Sequence, residues 1–133
     1  MAYTTINKSS LHMNTKLYTG TGSSNALTGI NFQPDLTWIK KRDGTNYHVL
    51  TDAVRGATKQ LYSNSIGNEE VVAEGLKSFN SDGFTLGTNG DTNGSGGSYV
   101  GWNWKGNGAG SSNTDGSVTS TVSVNQSAGF SIV

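Results

Sequence analysis

Residues 98–105 read SYVGWNWK and concentrate three large aromatic side chains in a chain that is otherwise rich in small polar residues. Side chains along a β-strand point alternately to its two faces. One face therefore carries Val100, Trp102 and Trp104, and the other carries Tyr99, Gly101 and Asn103. We predict a strand over residues 98–104, with the face that bears the two tryptophans packed into the core.

Two arrangements of Trp102 and Trp104 are compatible with this alternation. A buried aromatic side chain removes about 150–250 Å² from water, and a chain with few leucines and isoleucines needs that volume inside. The alternative is an open platform on which sugar rings stack. We favour the core for both side chains.

The composition around this stretch excludes several classes of protein. Glycine (19), serine (17), threonine (16) and asparagine (14) make up about half of the 133 residues, a length that favours one domain. Nine basic and nine acidic residues cancel, so no basic excess exists to bind nucleic acid. No apolar run approaches the roughly 20 residues that span a bilayer, so we expect no membrane insertion. The chain has no cysteine for disulfides or thiolate metal sites.

Turn residues recur every eight to twelve residues or so, which is typical of short strands in a sandwich or barrel. We predict an antiparallel β-sandwich of jelly-roll, concanavalin-like type. Its strands are predicted over residues 3–6, 16–19, 35–41, 47–51, 60–63, 75–79, 83–86, 98–104, 118–124 and 129–133. Its predicted core consists of Trp38, Ile39, Phe79, Phe84, Leu86, Val100, Trp102 and Trp104.

Two stretches depart from the strand pattern. Residues 68–75 are predicted to form a single helical turn or an irregular excursion. Residues 106–116 (GNGAGSSNTDG) are predicted to be a flexible linker because they are rich in glycine, serine and asparagine. The sandwich domain is accordingly predicted over residues 1–105. Residues 117–133 then add strands, either as an extra edge or as the start of a second unit.

Candidate binding residues lie in the predicted loops, because sandwich loops gather at the two ends of the sheets. Tyr47 beside the loop 43–46, Arg55, and the loop that carries Asn89, Asp91 and Asn93 offer the aromatic, guanidinium, amide and carboxylate groups that sugars need. Arg55 has a competing role, which is to brace Asp52 three residues earlier.

The loop 87–97 also has two interpretations. The alternating oxygen ligands of Asn89, Asp91 and Asn93 are of the kind that Ca²⁺ takes, but no bidentate glutamate accompanies them. A plain turn-rich loop is the alternative. We predict no metal and no other cofactor.

Catalytic groups are sparse. His12 and His48 are the two histidines, and neither accompanies a serine in a nucleophile-elbow context. Glu69, Glu70 and Glu74 lie together on a polar stretch, which is typical of solvated charge. We therefore predict that the protein is not an enzyme and has no catalytic residues.

Several segments, taken in order, resemble a repeat domain of structural, tail-fibre-like proteins of marine tailed bacteriophages. They are MAYTTINKSS (1–10), NTKLYTGTG (14–22), FQPDLTWIKKRDG (32–44), LTDAVRG (50–56), LKSFNSDGFTLG (76–87) and SYVGWNWK (98–105). The resemblance covers about residues 1–105 and implies a concanavalin- or laminin-G-like jelly roll. It also implies repeated units, with the terminal GFSIV as the first strand of a further one.

The resemblance implies a non-enzymatic virion component, such as a tail fibre or similar appendage, located on the virion. Its partners would be other virion proteins, further copies of the chain in a homo-oligomer, and host-surface glycans. One alternative is a purely architectural module, a capsid decoration or fibre anchor, that binds only virion proteins. Another is a carbohydrate-binding accessory module of a polysaccharide-active enzyme. The resemblance transfers no binding or catalytic residues.

Overall fold

A computed structural model describes residues 6–133, and nearly all of its regular structure is β. The strands are β1 (Met13–Thr19), β2 (Asn25–Leu27), β3 (Leu36–Lys41), β4 (Val49–Asp52), β5 (Lys59–Tyr62), β6 (Glu70–Val71), β7 (Leu76–Asn80), β8 (Gly83–Leu86), β9 (Ser98–Trp104), β10 (Ser111–Asn113), β11 (Ser120–Asn125) and β12 (Phe130–Ile132). A 3-10 turn spans Ser9–Leu11, and a one-turn helix, α1, spans Gly90–Asn93. The predicted strand 3–6 lies outside the described residues, apart from Ile6.

Two antiparallel sheets pack against each other and confirm the predicted β-sandwich. The larger sheet has the strand order β1-β9-β3-β4-β5-β6, and the smaller one has the order β2-β8-β7. Between them lies a cluster of buried side chains: Leu27, Ile30, Phe32, Ile39, Leu76, Phe84, Leu86 and Tyr99. No helix in the described residues is long and apolar enough to cross a membrane.

The central strand β9 turns its other face inward, so the prediction that Trp102 and Trp104 lie in the core is wrong. Tyr99, Gly101 and Asn103 are buried, whereas the two tryptophans are only partly so. The absence of a side chain at Gly101 makes room for Phe84, whose ring would lie 3.6 Å from a Cβ built there. The smaller sheet thus fills the volume that the tryptophans were expected to fill.

The rest of the predicted core is partly confirmed. Ile39, Phe84 and Leu86 are buried in the central cluster, and Phe79 packs against it. Trp38 shares the outward face with the other tryptophans because it pairs with Trp102. Val100 is buried, at 7% exposure, but it also lies on the outward face.

A row of polar side chains crosses the inner face of the larger sheet. The register aligns Asn14, Asn103, Thr37 and Thr51 on neighbouring strands, and continues to Gln60. The Thr37 hydroxyl donates to Asn103 Oδ1 over 3.3 Å. In contrast, Thr51 Oγ1 and both polar side-chain atoms of Gln60 are buried without a hydrogen-bond partner in the described residues.

The C-terminal strands form a separate sheet of order β10-β11-β12. The predicted linker 106–116 contains β10, and the N–H of Gly106 donates to Asp35 Oδ2 over 2.8 Å. The N–H of Asn107 donates to Ser123 Oγ over 2.6 Å. These two bonds join the start of the segment both to the sandwich, through Asp35, and to the third sheet, through Ser123.

Two further stretches differ from the sequence prediction. Residues 68–75 contain strand β6 instead of a helical turn, because Glu70 and Val71 pair with Gln60 and Lys59 at the sheet edge. Residues 87–97, predicted to be irregular, contain α1. Asn89 caps this helix by accepting a hydrogen bond from the N–H of Asp91 over 2.9 Å.

Candidate functional site

The outer face of the larger sheet, meaning the side away from the smaller sheet, carries a stripe of large side chains. Strand register places Trp102, Trp38, Leu50 and Leu61 next to one another on β9, β3, β4 and β5. Leu17, on the neighbouring β1, is 59% exposed on the same face. The other four side chains are half-buried. Apolar surface that is gathered in one patch marks a binding surface more often than scattered single residues do.

Trp38 and Trp102 form the centre of this stripe. They are a direct cross-strand pair, and their ring centroids lie 5.3 Å apart with a 45° tilt between the planes. Both side chains are partly exposed. The tilt leaves two differently oriented aromatic surfaces side by side, on a rigid strand pair at the middle of the sheet.

Charged side chains border the stripe at the end of β4. Arg55 forms an ion pair through Nη2 with Asp52 Oδ2, and its N–H donates to Asp52 Oδ1 over 2.8 Å. Asp52 is almost fully buried and lies opposite Leu36 in the outward row of the sheet. The predicted local brace between these residues is confirmed.

Glu69 lies on the far side of the guanidinium. Its carboxylate is 3.8 Å from Arg55 Nε and 3.7 Å from Lys59 Nζ. The Arg55 side chain keeps 31% of its surface exposed. Two acidic groups therefore fix the orientation of Arg55 at the border of the aromatic stripe, with part of the guanidinium open to solvent.

The other predicted residues form a second cluster at the opposite end of the sheet. Tyr47, 48% exposed, packs against Tyr62 with ring centroids 4.5 Å apart and a 32° tilt between the planes. The Tyr62 hydroxyl donates to Glu70 Oε2 over 2.9 Å. Burial, followed by this acidic partner, raises the pKa of Tyr62 to about 12. The tyrosine is consequently a neutral hydrogen-bond donor at physiological pH.

Asn46 connects this cluster to α1, since its Nδ2 donates to Asp91 Oδ1 over 2.9 Å. The structure thereby brings Tyr47 and Asp91 into one region. Arg55 is not part of it, because Tyr47 precedes β4 whereas Arg55 follows it. The five predicted residues therefore do not form one site.

Asn89 and Asn93 have structural roles in the loop 87–97. Asn93 is fully buried, and its Oδ1 accepts hydrogen bonds from the N–H of Thr21 and from Asn25 Nδ2 at 2.9 and 3.0 Å. Its Nδ2 donates to the carbonyl oxygens of Ser23 and Gly87, each over 2.6 Å. These bonds occupy the oxygens that a cation would need from Asn89 and Asn93. Within residues 6–133, no group of three His, Cys, Asp or Glu side chains could hold a metal ion.

The sequence contained one signal for the outer-face site. Leu36, Trp38 and Lys40 alternate along β3 and therefore share a face. A lysine on the same face as a tryptophan indicates a surface that reaches solvent, because isolated lysines are rarely buried. The pairing of Trp38 with Trp102, 64 residues apart, was not accessible from the sequence.

Comparison with known proteins assigns the chain to a family. The sequence model described as "Domain of unknown function (DUF7483)" matches residues 8–133, almost the whole chain, so the chain belongs to this family. No curated protein and no solved structure matches it.

Proposed function

We propose that this member of the family is a non-enzymatic, glycan-binding component of a bacteriophage virion, part of a tail fibre or similar appendage. The Trp38–Trp102 pair is its sugar-binding surface. The sequence resemblance described above supports the place on the virion and a sandwich of jelly-roll type. The half-buried tryptophan pair on the outer face of the larger sheet supports the glycan.

The tryptophan pair is the observation that carries the proposal. The face of an aromatic ring bears partial negative charge, and the C–H groups on one side of a sugar ring bear partial positive charge. A sugar therefore stacks on an exposed indole with both favourable electrostatics and burial of apolar surface. Two indoles 5.3 Å apart on paired strands present such surfaces without a conformational change.

The expected mechanism is polyvalent attachment. A shallow platform binds a single sugar chain weakly, because little of the ligand is enclosed. Several copies held together in a homo-oligomer, on other virion proteins, convert weak single contacts into strong avidity for a host surface. The accessory-module alternative uses the same platform beside an enzyme, and differs in the protein to which the module is attached.

The architectural alternative draws on the same surface. An apolar stripe that includes Leu17 at 59% exposure also suits the flat face of another virion protein. Under this alternative the tryptophans would contribute to protein contacts, and the isolated domain would bind no glycan.

A glycan array probed with the isolated domain and three variants tests the proposal. We expect Trp38→Ala and Trp102→Ala to lose binding to every glycan that the unchanged protein recognises. Tyr47→Ala is the control, because it removes an aromatic ring that is more exposed than either tryptophan and lies outside the tryptophan pair. Thermal unfolding of each variant verifies that the fold is retained.

Three results would contradict the proposal. Loss of binding in Tyr47→Ala with retention in both tryptophan variants would move the site to the Tyr47 cluster. Absence of glycan binding, together with specific binding to a tail or capsid protein, would favour the architectural role. Hydrolysis of a host polysaccharide by the isolated domain would overturn the non-enzymatic assignment.

A further inference from the structure

Two adjoining cavities lie at the seam between the sandwich and the C-terminal sheet. The larger has a volume of about 590 Å³ and the smaller one about 330 Å³. His12, which immediately precedes β1, lines both of them. We call the two together the seam groove, and its two parts the polar cavity and the apolar cavity.

The apolar cavity continues the aromatic stripe of the outer face. Met13 and Trp104 line this cavity and pair with each other across β1 and β9. Their row of outward side chains is next to the row that contains Trp38 and Trp102. Residues two apart on a strand are about 6.6 Å apart along it, so Trp104 adjoins Trp102 directly. Phe130 of β12 faces Trp104 with ring centroids 6.5 Å apart. A chain bound along the tryptophans therefore reaches the seam groove.

The polar cavity has a different chemistry. Its lining is mostly polar, with amides, hydroxyls, backbone, two nitrogen bases and one aliphatic side chain: His12, Lys105, Gly106, Asn107, Ser111, Val124, Asn125, Gln126 and Ser127. None of the residues that line either cavity is acidic. Lys105 is exposed, and no ion-pair partner is found for it among the described residues. Lys105 therefore gives this recess an unpaired cationic group, while the buried Asp35 carboxylate lies behind the lining, where it accepts a hydrogen bond from the N–H of Gly106.

Backbone and amide bonds hold the walls of the polar cavity in place. Asn125 Nδ2 donates to the carbonyl of Lys105 over 2.9 Å and lies 3.2 Å from His12 Nδ1. The N–H of Lys105 donates to the carbonyl of His12 over 2.8 Å. Because these bonds tie β9, β11 and the turn before β1 together, the recess exists before a ligand arrives, which reduces the ordering cost of binding.

We infer that the seam groove binds a sugar residue with an anionic substituent, a carboxylate or a sulfate ester, with the anion beside Lys105. The choice of a saccharide rests on the proposed function, whereas the choice of an anion rests on the charge of the lining. The apolar cavity receives the ring, and the side-chain amides and hydroxyls of the polar cavity bind its neutral groups.

The test compares neutral, carboxylated and sulfated members of a glycan array at low ionic strength. We expect the unchanged protein to bind anionic members about fivefold better than their neutral counterparts, near the upper limit for an exposed ion pair. Lys105→Gln should abolish this preference, Lys105→Arg should restore it, and binding of neutral members should stay unchanged. Lys8→Gln, a change of an exposed lysine outside the groove, is the matched control. The carboxylated and sulfated members separate the two anion types.

The outcomes distinguish this inference from the proposed function. In one set of outcomes, glycans bind through Trp102 without a preference for anions, or with a preference that survives Lys105→Gln. Either result would refute the anion site in the seam groove and leave the proposed Trp38–Trp102 sugar-binding surface in place. If no glycan binds, the platform fails. The groove is then tested alone by titrating galacturonate and galactose and following the backbone NMR signals of Lys105, Asn107 and Asn125. Changes in these NMR signals with galacturonate but not with galactose would support an anion site in the seam groove. Changes with neither sugar, or with both, would refute it.

Discussion

A pair of valine substitutions tests the energetics of the polar row inside the sandwich. Thr51 and Thr37 pair with each other across β3 and β4, and both are essentially inaccessible to solvent. Their environments differ in one respect. The Thr37 hydroxyl donates to Asn103 Oδ1, whereas the Thr51 hydroxyl has no hydrogen-bond partner in the described residues. Valine keeps the branched shape of threonine and replaces its hydroxyl with a methyl group.

The expected effects have opposite signs. A buried polar group without a partner costs about 1–3 kcal/mol, so Thr51→Val should raise the free energy of unfolding by about 1 kcal/mol. Thr37→Val should lower it by about 1–2 kcal/mol, because Asn103 Oδ1 loses its donor inside the core. A change of 1 kcal/mol corresponds to a shift in Tm of about 3–5 °C for a domain of this size.

Urea unfolding at 25 °C, with equal m values for the variants, measures both changes on one scale. Gln60→Met extends the series, since both polar atoms of the Gln60 side chain are buried without a partner, and it should also stabilise the domain. If Thr51→Val and Gln60→Met destabilised the domain as much as Thr37→Val does, the whole row would be a satisfied hydrogen-bonded network. The reasoning from unpaired atoms would then be wrong.

Four further predictions concern stability and pH. Trp102→Ala should lower the free energy of unfolding by less than about 2 kcal/mol, because the Trp102 side chain is only partly buried. Phe84→Ala, in the core, should lower it by about 3–5 kcal/mol. Equal losses in chemical denaturation would show that Trp102 contributes to stability as a core residue does. Arg55→Ala should lower the free energy of unfolding by about 1–2 kcal/mol, since it leaves the buried Asp52 carboxylate without its ion-pair partner; an unchanged Tm with weakened host adsorption would instead make Arg55 a ligand residue. Asn93→Ala should be among the most destabilising changes in the loop 87–97, because four protein groups lose a partner; a melting temperature equal to that of Asp91→Ala would contradict this. The N–H groups of Gly29 and Asn31 lower the pKa of Asp82 below its usual 3.8. The contribution of Asp82 to the stability of the fold is therefore present above about pH 4 and is lost as the pH falls through the lowered pKa. Asp82→Asn should remove that part of the acid sensitivity, and acid unfolding identical to that of the unchanged protein would contradict this.

The strands that the sequence predicted best are those with strong local signals. The bounds of β8 and β9 match the prediction at both ends, because glycines and turn residues flank runs of aromatic and aliphatic side chains. Strands β2 and β10 have three residues each, and three residues show no alternation that distinguishes a strand from a loop. Their pairing partners, distant in sequence, determine that they are strands.

The candidate site shows the same division between local and distant information. The Asp52–Arg55 pair was predictable, because its members are three residues apart and opposite in charge. The contact between Asn46 and Asp91 joins residues 45 positions apart, so no local pattern contains it. Alternation along β9 correctly separated Tyr99 from Trp102, but alternation alone does not say which face is inside. Phe84 on the opposite sheet decides that question, by occupying the space above Gly101.

The reversed face of β9 changes how the tryptophans should be understood. A core filled from the smaller sheet and by the loop residues Ile30 and Phe32 does not need the volume of Trp38 and Trp102. Keeping two indoles at a surface exposes apolar area to water and favours association with other molecules. Folding alone does not require that arrangement, and the proposed binding function would account for it. If the stripe serves binding, replacing Trp38 and Trp102 together by threonine, a strand-forming polar residue, should leave the core intact and improve solubility while adsorption is lost. If the double variant instead unfolds, the two tryptophans belong to the stability of the sandwich, and the binding surface must be sought elsewhere.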